Sequence, residues 1–127
     1  MSLTLDTVTI DCADPTKLGT FWCEALGFEL DADSDAEGAF AGDPTGRTAG
    51  LFFQRVPEPK IGKNRMHLDV RPSGSMAEEV TRLQALGATV EGRVDVEGSF
   101  WTVMQDLEGH EFCVLRGPAD GWAPPAL

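Results

Sequence analysis

Hydrophobic and polar positions along the chain change period several times, and each change marks an element. Residues 4–11 alternate, with Leu5, Val8 and Ile10 set among polar neighbours, which predicts a strand. Asp14-Pro15 then supplies a helix start: the Asp14 carboxylate can accept orphan amide hydrogens and Pro15 suits the first turn. Leu18, Phe21, Trp22, Ala25 and Leu26 follow the i, i+3, i+4, i+7, i+8 spacing of one apolar helix face, and Gly27 stands where a left-handed cap ends it. Three short strands are expected next, at about 28–31, 38–42 and 49–56. The same succession returns further on. Met66 to Val70 reads as a strand, and Ser75 with Glu78 has capping-box spacing. Met76, Val80, Leu83 and Leu86 form a helix face closed by Gly87. Strands follow at about 88–94, 99–105 and 111–116, with Asp106 to His110 as the turn between the last two.

The chain is therefore written twice. At an offset of 60, Ala25-Leu26-Gly27 falls on Ala85-Leu86-Gly87, and Thr7-Val8-Thr9-Ile10-Asp11 falls on His67-Leu68-Asp69-Val70-Arg71. Asp43-Pro44-Thr45-Gly46 answers Asp106-Leu107-Glu108-Gly109 at an offset of 63, a drift that one longer loop explains. Each half reads β-α-β-β-β, repeat one over about 4–56 and repeat two over about 65–116, with a connector at 57–64 and a tail at 117–127. The expectation is one α+β domain over 1–127 with a single fused core, since 127 residues suit one domain.

Composition narrows the function. Ten Lys and Arg against 21 Asp and Glu give a net charge of −11, without the basic footprint that phosphate contacts require, so nucleic acid is not an expected partner. No apolar run approaches the ~20 residues that span a bilayer, and the N-terminus lacks the layout of a secretory signal. Cys12, Cys23 and Cys113 are odd in number and show no Cys-x-x-Cys spacing, which argues for reduced thiols and a cytoplasmic setting. Six of the ten cations, Arg47, Arg55, Lys60, Lys63, Arg65 and Arg71, gather around the connector. Read blandly, they are a solvated stretch. Read functionally, they form a basic rim that steers anionic small ligands.

The paired β-α-β-β-β halves, the Asp14-Pro15 helix start, the Ala-Leu-Gly helix ends and the late Asp106-Leu107-Glu108-Gly109-His110-Glu111-Phe112 turn resemble the vicinal oxygen chelate superfamily, the group of glyoxalases, bleomycin-resistance proteins and extradiol dioxygenases. The resemblance implies one open, barrel-like mixed sheet with a concave ligand face, and a homodimer. Metal-using members place four ligands on that face, commonly a His and a Glu from each half, where a divalent ion polarises two neighbouring substrate oxygens. Carried over position by position, the set is incomplete. The first-half His position is Thr7, the second-half His is His67, the last-strand position of the second half is Cys113, and that of the first half falls on Phe52 or Gln54. No cofactor is expected; a divalent metal stays open, with an incomplete ligand set.

Individual residues carry two readings each. His67 is either a satisfied pocket histidine or a ligand contact and general base. Glu111 is a candidate third donor or acid-base partner, and Asp69, two residues beyond His67, either orients the imidazole or pairs with Arg65 or Arg71. Phe52, Trp101 and Met104 are candidate pocket walls, with Thr7, Gln54, Arg65 and Cys113 beside them. Trp22 reads as core, Cys113 as a structural thiol, and His110 as an exposed turn residue. Three functions remain in view: a small-molecule binder that works without the full metal set, a lyase, isomerase or dioxygenase using His67 with a nonstandard set, and an interaction module. Only a ligand-sized pocket and the metal content separate them.

Overall fold

The structure, a computed structural model, describes residues 2–126. The chain divides into two compact units, Met1–Ile61 and Gly62–Leu127, and the boundary lies inside the expected connector. The first unit runs β1 (Thr7–Cys12), α1 (Pro15–Leu26), β2 (Glu29–Leu30), β3 (Gly38–Gly42) and β4 (Gly50–Arg55). Its sheet has the order β1-β4-β3-β2, with β1 parallel to β4 and the other pairs antiparallel. The second unit runs β5 (Leu68–Val70), α2 (Met76–Ala85), β6 (Thr89–Val96), β7 (Ser99–Gln105) and β8 (Glu111–Leu115). Its order is β5-β8-β7-β6, again with one parallel pair, β5 with β8. The α+β class and the two β-α-β-β-β repeats are thus as the sequence predicts. Among the described residues no helix is long and apolar enough to cross a membrane.

The local signals act through identifiable bonds. Asp14 accepts from Lys17 N at 3.2 Å, and Gly27 ends α1 at φ 72°. Ser75 Oγ accepts from Glu78 N at 3.2 Å at the start of α2. Leu18, Phe21 and Trp22 of α1 are buried, as are Ala39, Ala41, Leu51 and Phe53 of the sheet beneath. A Cβ at Gly19 would come within 3.0 Å of Leu30, so the glycine permits close helix–sheet approach. Under α2 the buried set is Met76, Leu83, Met104, Phe112 and Val114, with Thr102 Oγ1 donating to Met76 Sδ at 3.5 Å. Each large apolar side chain so buried contributes about 1.5–3 kcal/mol.

Two expected strands start late. β1 begins at Thr7 rather than residue 4, and β5 at Leu68 rather than Met66. Both lie at a sheet edge with one partner: β1 begins opposite Gly50, the first residue of β4, and β5 begins opposite Phe112, one residue into β8. The turns answer each other. Asp43 accepts from the amides of Thr45, Arg47 and Thr48, which together with the Thr45 hydroxyl lower its pKa to about 2. Asp106, its repeat counterpart, accepts from the amides of Glu108 and His110. His110 is not an exposed turn residue: its side chain folds back until Nδ1 lies 3.0 Å from Asp106 Oδ1, leaving it 12% accessible. The tail is fastened by Asp120, whose Oδ2 accepts from Met76 N at 2.7 Å and Gly117 N at 2.9 Å. Trp122 lies under the Arg71 guanidinium, 3.9 Å from the ring centroid.

Candidate functional site

In each sheet, alternate side chains point toward the helix or away from it. In the second unit Thr102, Met104, Phe112 and Val114 take the α2 side, because Thr102 reaches Met76 and its register partner is Val114. Met104 is 0% exposed and belongs to the core under α2, so it does not line a pocket as the sequence suggested. The opposite face carries Asp69, Glu111, Cys113, Val103 and Trp101. Asp69 pairs with Cys113 across β5–β8, and Val103 and Trp101 pair with Cys113 and Leu115 across β7–β8. Trp101 is half-buried there.

His67 immediately precedes β5, two residues before Asp69, and its ring turns onto this face. Nδ1 lies 3.1 Å from Asp69 Oδ1 and 3.8 Å from Cys113 Sγ. One donor atom from each of the three residues falls within 4.8 Å of the others. His67 and Asp69 are exposed while Cys113 is buried beneath them. Burial, and then the Asp69 carboxylate, push the Cys113 thiol up to about 11, so without a cation it is protonated and unreactive near neutral pH. Glu111 stands apart from this group. It is buried, and its Oε1 accepts from the Asn64 amide at 3.1 Å, fastening the chain just before β5. Arg65 lies in an exposed bend between Asn64 and His67.

In the first unit the face away from α1 carries Thr7, Thr9, Asp11, Phe52 and Gln54, since Thr9 pairs with Phe52 and Asp11 with Gln54. Phe52 and Gln54 therefore share a face. Thr9–Phe52 occupies the place that Asp69–Cys113 occupies in the second unit. Thr7 Oγ1 donates to Asp6 at 2.7 Å. The Phe52 and Phe40 rings fill the space above glycines: a Cβ at Gly38 would meet Phe52 at 2.6 Å, and one at Gly50 would meet Phe40 at 2.5 Å. The sequence named Phe52 as a candidate wall but missed Phe40 and the glycines, although Gly38-Ala39-Phe40-Ala41-Gly42 beside Gly50-Leu51-Phe52 is their signature. The connector cations are partly engaged. Arg55 pairs with Glu37 at 3.2 Å, and Arg71 donates to Arg116 O at 2.6 Å while stacking on Trp122.

The four-ligand set of metal-using members does not fit these residues. At the carried-over positions the first unit presents the Thr7 and Thr9 hydroxyls and the Phe52 ring, while the described His, Asp and Cys group lies in the second unit.

Comparison with known proteins agrees with the fold. The family described as a glyoxalase-like domain matches residues 7–115. A glyoxalase/bleomycin resistance protein/dioxygenase family enzyme from Burkholderia phytofirmans superposes with TM-score 0.73 at 16% identity, covering 88% of this chain and 97% of that one. The fosfomycin resistance protein FosX of Listeria monocytogenes, solved as a mutant with Mn(II) and 1S,2S-dihydroxypropylphosphonic acid, gives TM-score 0.71 at 18% identity, covering 92% and 91%. A lactoylglutathione lyase from Agrobacterium tumefaciens gives 0.65 at 17%, covering 95% and 97%. No curated protein matches the sequence at a significant level.

Proposed function

The chain belongs to the glyoxalase-like domain family, and from that premise we propose that it binds a small molecule on the strand faces turned away from its helices, in the cytoplasm, without the full four-ligand metal set. The observation that carries this reading is the register: Thr9–Phe52 stands where the second unit has Asp69–Cys113, so the first unit offers apolar contact in place of metal ligands. Phe52 over Gly38, and Trp101 on the second unit's face, are flat, rigid surfaces suited to a ligand with an apolar or aromatic part. Arg65 and Gln54, both exposed, add polar contacts at the margins.

The test uses anilinonaphthalene sulfonate, an apolar anion, titrated into chelator-treated protein. Saturable binding unchanged by chelator, and weakened about 10-fold by Phe52→Ala or Trp101→Ala, is expected from the loss of one aromatic contact. Absence of saturable binding, or its abolition by chelator, overturns the reading. A second reading, a metal-dependent lyase, isomerase or dioxygenase working through His67, has one observation in its favour, the convergence of three donors on one face.

A further inference from the structure

We propose that the second unit alone holds one zinc-class cation on His67 Nδ1, an Asp69 carboxylate oxygen and Cys113 Sγ, with a fourth position left for water or an anionic oxygen ligand. Two arrangements of histidine, carboxylate and thiol are chemically distinct. A nucleophile–base relay needs the carboxylate on one ring nitrogen and the thiol on the other, because the imidazole passes a proton between them. Here both contacts fall on the same nitrogen: Asp69 Oδ1 and Cys113 Sγ lie 3.1 Å and 3.8 Å from Nδ1. Two partners on one nitrogen, with all three donor atoms within 4.8 Å of one another, is a spacing that a single chelated ion can bridge.

The spacing fits a small tetrahedral ion. Zinc bond lengths of about 2.0–2.1 Å to nitrogen, about 2.0–2.2 Å to oxygen and about 2.3 Å to sulfur give tetrahedral edges of about 3.3 Å for N···O and about 3.6 Å for N···S. The two separations from His67 Nδ1 differ from these by a few tenths of an ångström, and the Asp69 oxygen lies within 4.8 Å of the sulfur, so exposed His67 and Asp69 need only side-chain rotations to close on one ion. A thiolate beside an imidazole selects zinc over the harder magnesium, calcium and manganese, which prefer all-oxygen surroundings. Three protein donors with one free position is the zinc arrangement that leaves room for a ligand. This donor set differs from the superfamily's in chemistry and in origin: it includes sulfur, and the first unit contributes nothing to it.

The cation is independent of the small-molecule proposal, which is tested in chelator, so either can fail alone. Reduced, chelator-stripped full-length protein is titrated with Zn(II) against a chromophoric chelator, and separately with Co(II). One equivalent per chain is expected, with the intense visible bands of tetrahedral cobalt and a near-ultraviolet thiolate-to-cobalt charge-transfer band. Cys113→Ser removes the charge-transfer band, and it and His67→Ala each weaken zinc binding at least about 10-fold, the scale of losing even an outer-shell partner. Cys23→Ser, on α1 of the other unit, leaves both unchanged. Should either site variant fail to fold, the cobalt spectrum of the unmodified protein decides by itself. No stoichiometric binding, an octahedral cobalt spectrum without the charge-transfer band, or binding indifferent to Cys113→Ser overturns the proposal.

Discussion

At the scale of single residues, Cys113 and Asp43 make opposite use of their surroundings. Burial and the Asp69 charge raise the Cys113 thiol from 9.0 to about 11, which lowers its thiolate fraction at neutral pH by about 100-fold. In metal-free protein, iodoacetamide should therefore modify Cys113 slowly, and faster as the pH rises toward 11. Asp69→Asn should restore part of the rate, the remainder being held down by burial. Mass spectrometry of time points checks this, and alkylation at neutral pH as fast as a free thiol would contradict it. Asp43 goes the other way: its carboxylate, bonded by the Thr45 hydroxyl and three amides, falls from 3.8 to about 2. A depressed carboxylate contributes stability above its unfolded value and loses it as pH falls through its folded value. Asp43→Asn should flatten the acid limb of the stability curve between about pH 4 and pH 2, read by urea denaturation at several pH values. The turn of Asp43 was legible because the sequence repeats it at Asp106. The fate of His110 was not, because nothing local records that its ring folds back onto a buried carboxylate.

Among elements, most boundaries follow from short-range rules, and the exceptions have a common cause. Capping side chains and turn glycines lie within a few residues of what they act on, so α1, α2, β3 and β7 could be placed from the chain alone. Strands β1 and β5 start late because their extent is set by partners more than 40 residues away. The site was partly legible for the same reason. His67 was readable from the repeat, but that Cys113 and not Leu115 stands beside Asp69 is a property of β5–β8 pairing. The β6–β7 hairpin turns on Glu97 and Gly98, both with positive φ, 48° and 84°. That geometry suits asparagine before glycine better than glutamate. Glu97→Asn should stabilise the protein by about 0.5–1 kcal/mol, measured by denaturant midpoint. Removing the acceptor of the β7–β8 turn does the reverse: Asp106→Ala strands two amides and the His110 ring and should cost about 2–4 kcal/mol. A cost near zero would mean that water replaces the carboxylate.

For the whole molecule, one plan has been given two chemistries. Both units share element order, sheet order and one parallel edge pair, yet one presents phenyl rings over glycine and the other imidazole, carboxylate and thiol. Such division is what a repeated scaffold permits, since the fold constrains the helix-facing residues and leaves the other face free to change. We expect the chain to assemble as a pair of copies, as the resemblance implies. Light scattering should return twice the chain mass of 13.7 kDa, and a monomer at micromolar concentration would refute it. The stacking of Trp122 on Arg71 has a practical consequence of another kind. The chain contains no tyrosine and three tryptophans: Trp22 in the core of the first unit, Trp101 on the site face, and Trp122 on the tail. Single-tryptophan variants would split the intrinsic emission into three local signals. The Trp122 signal would come from a ring stacked on Arg71, the residue that follows the strand carrying Asp69, giving an optical view of events near the donors without any added label.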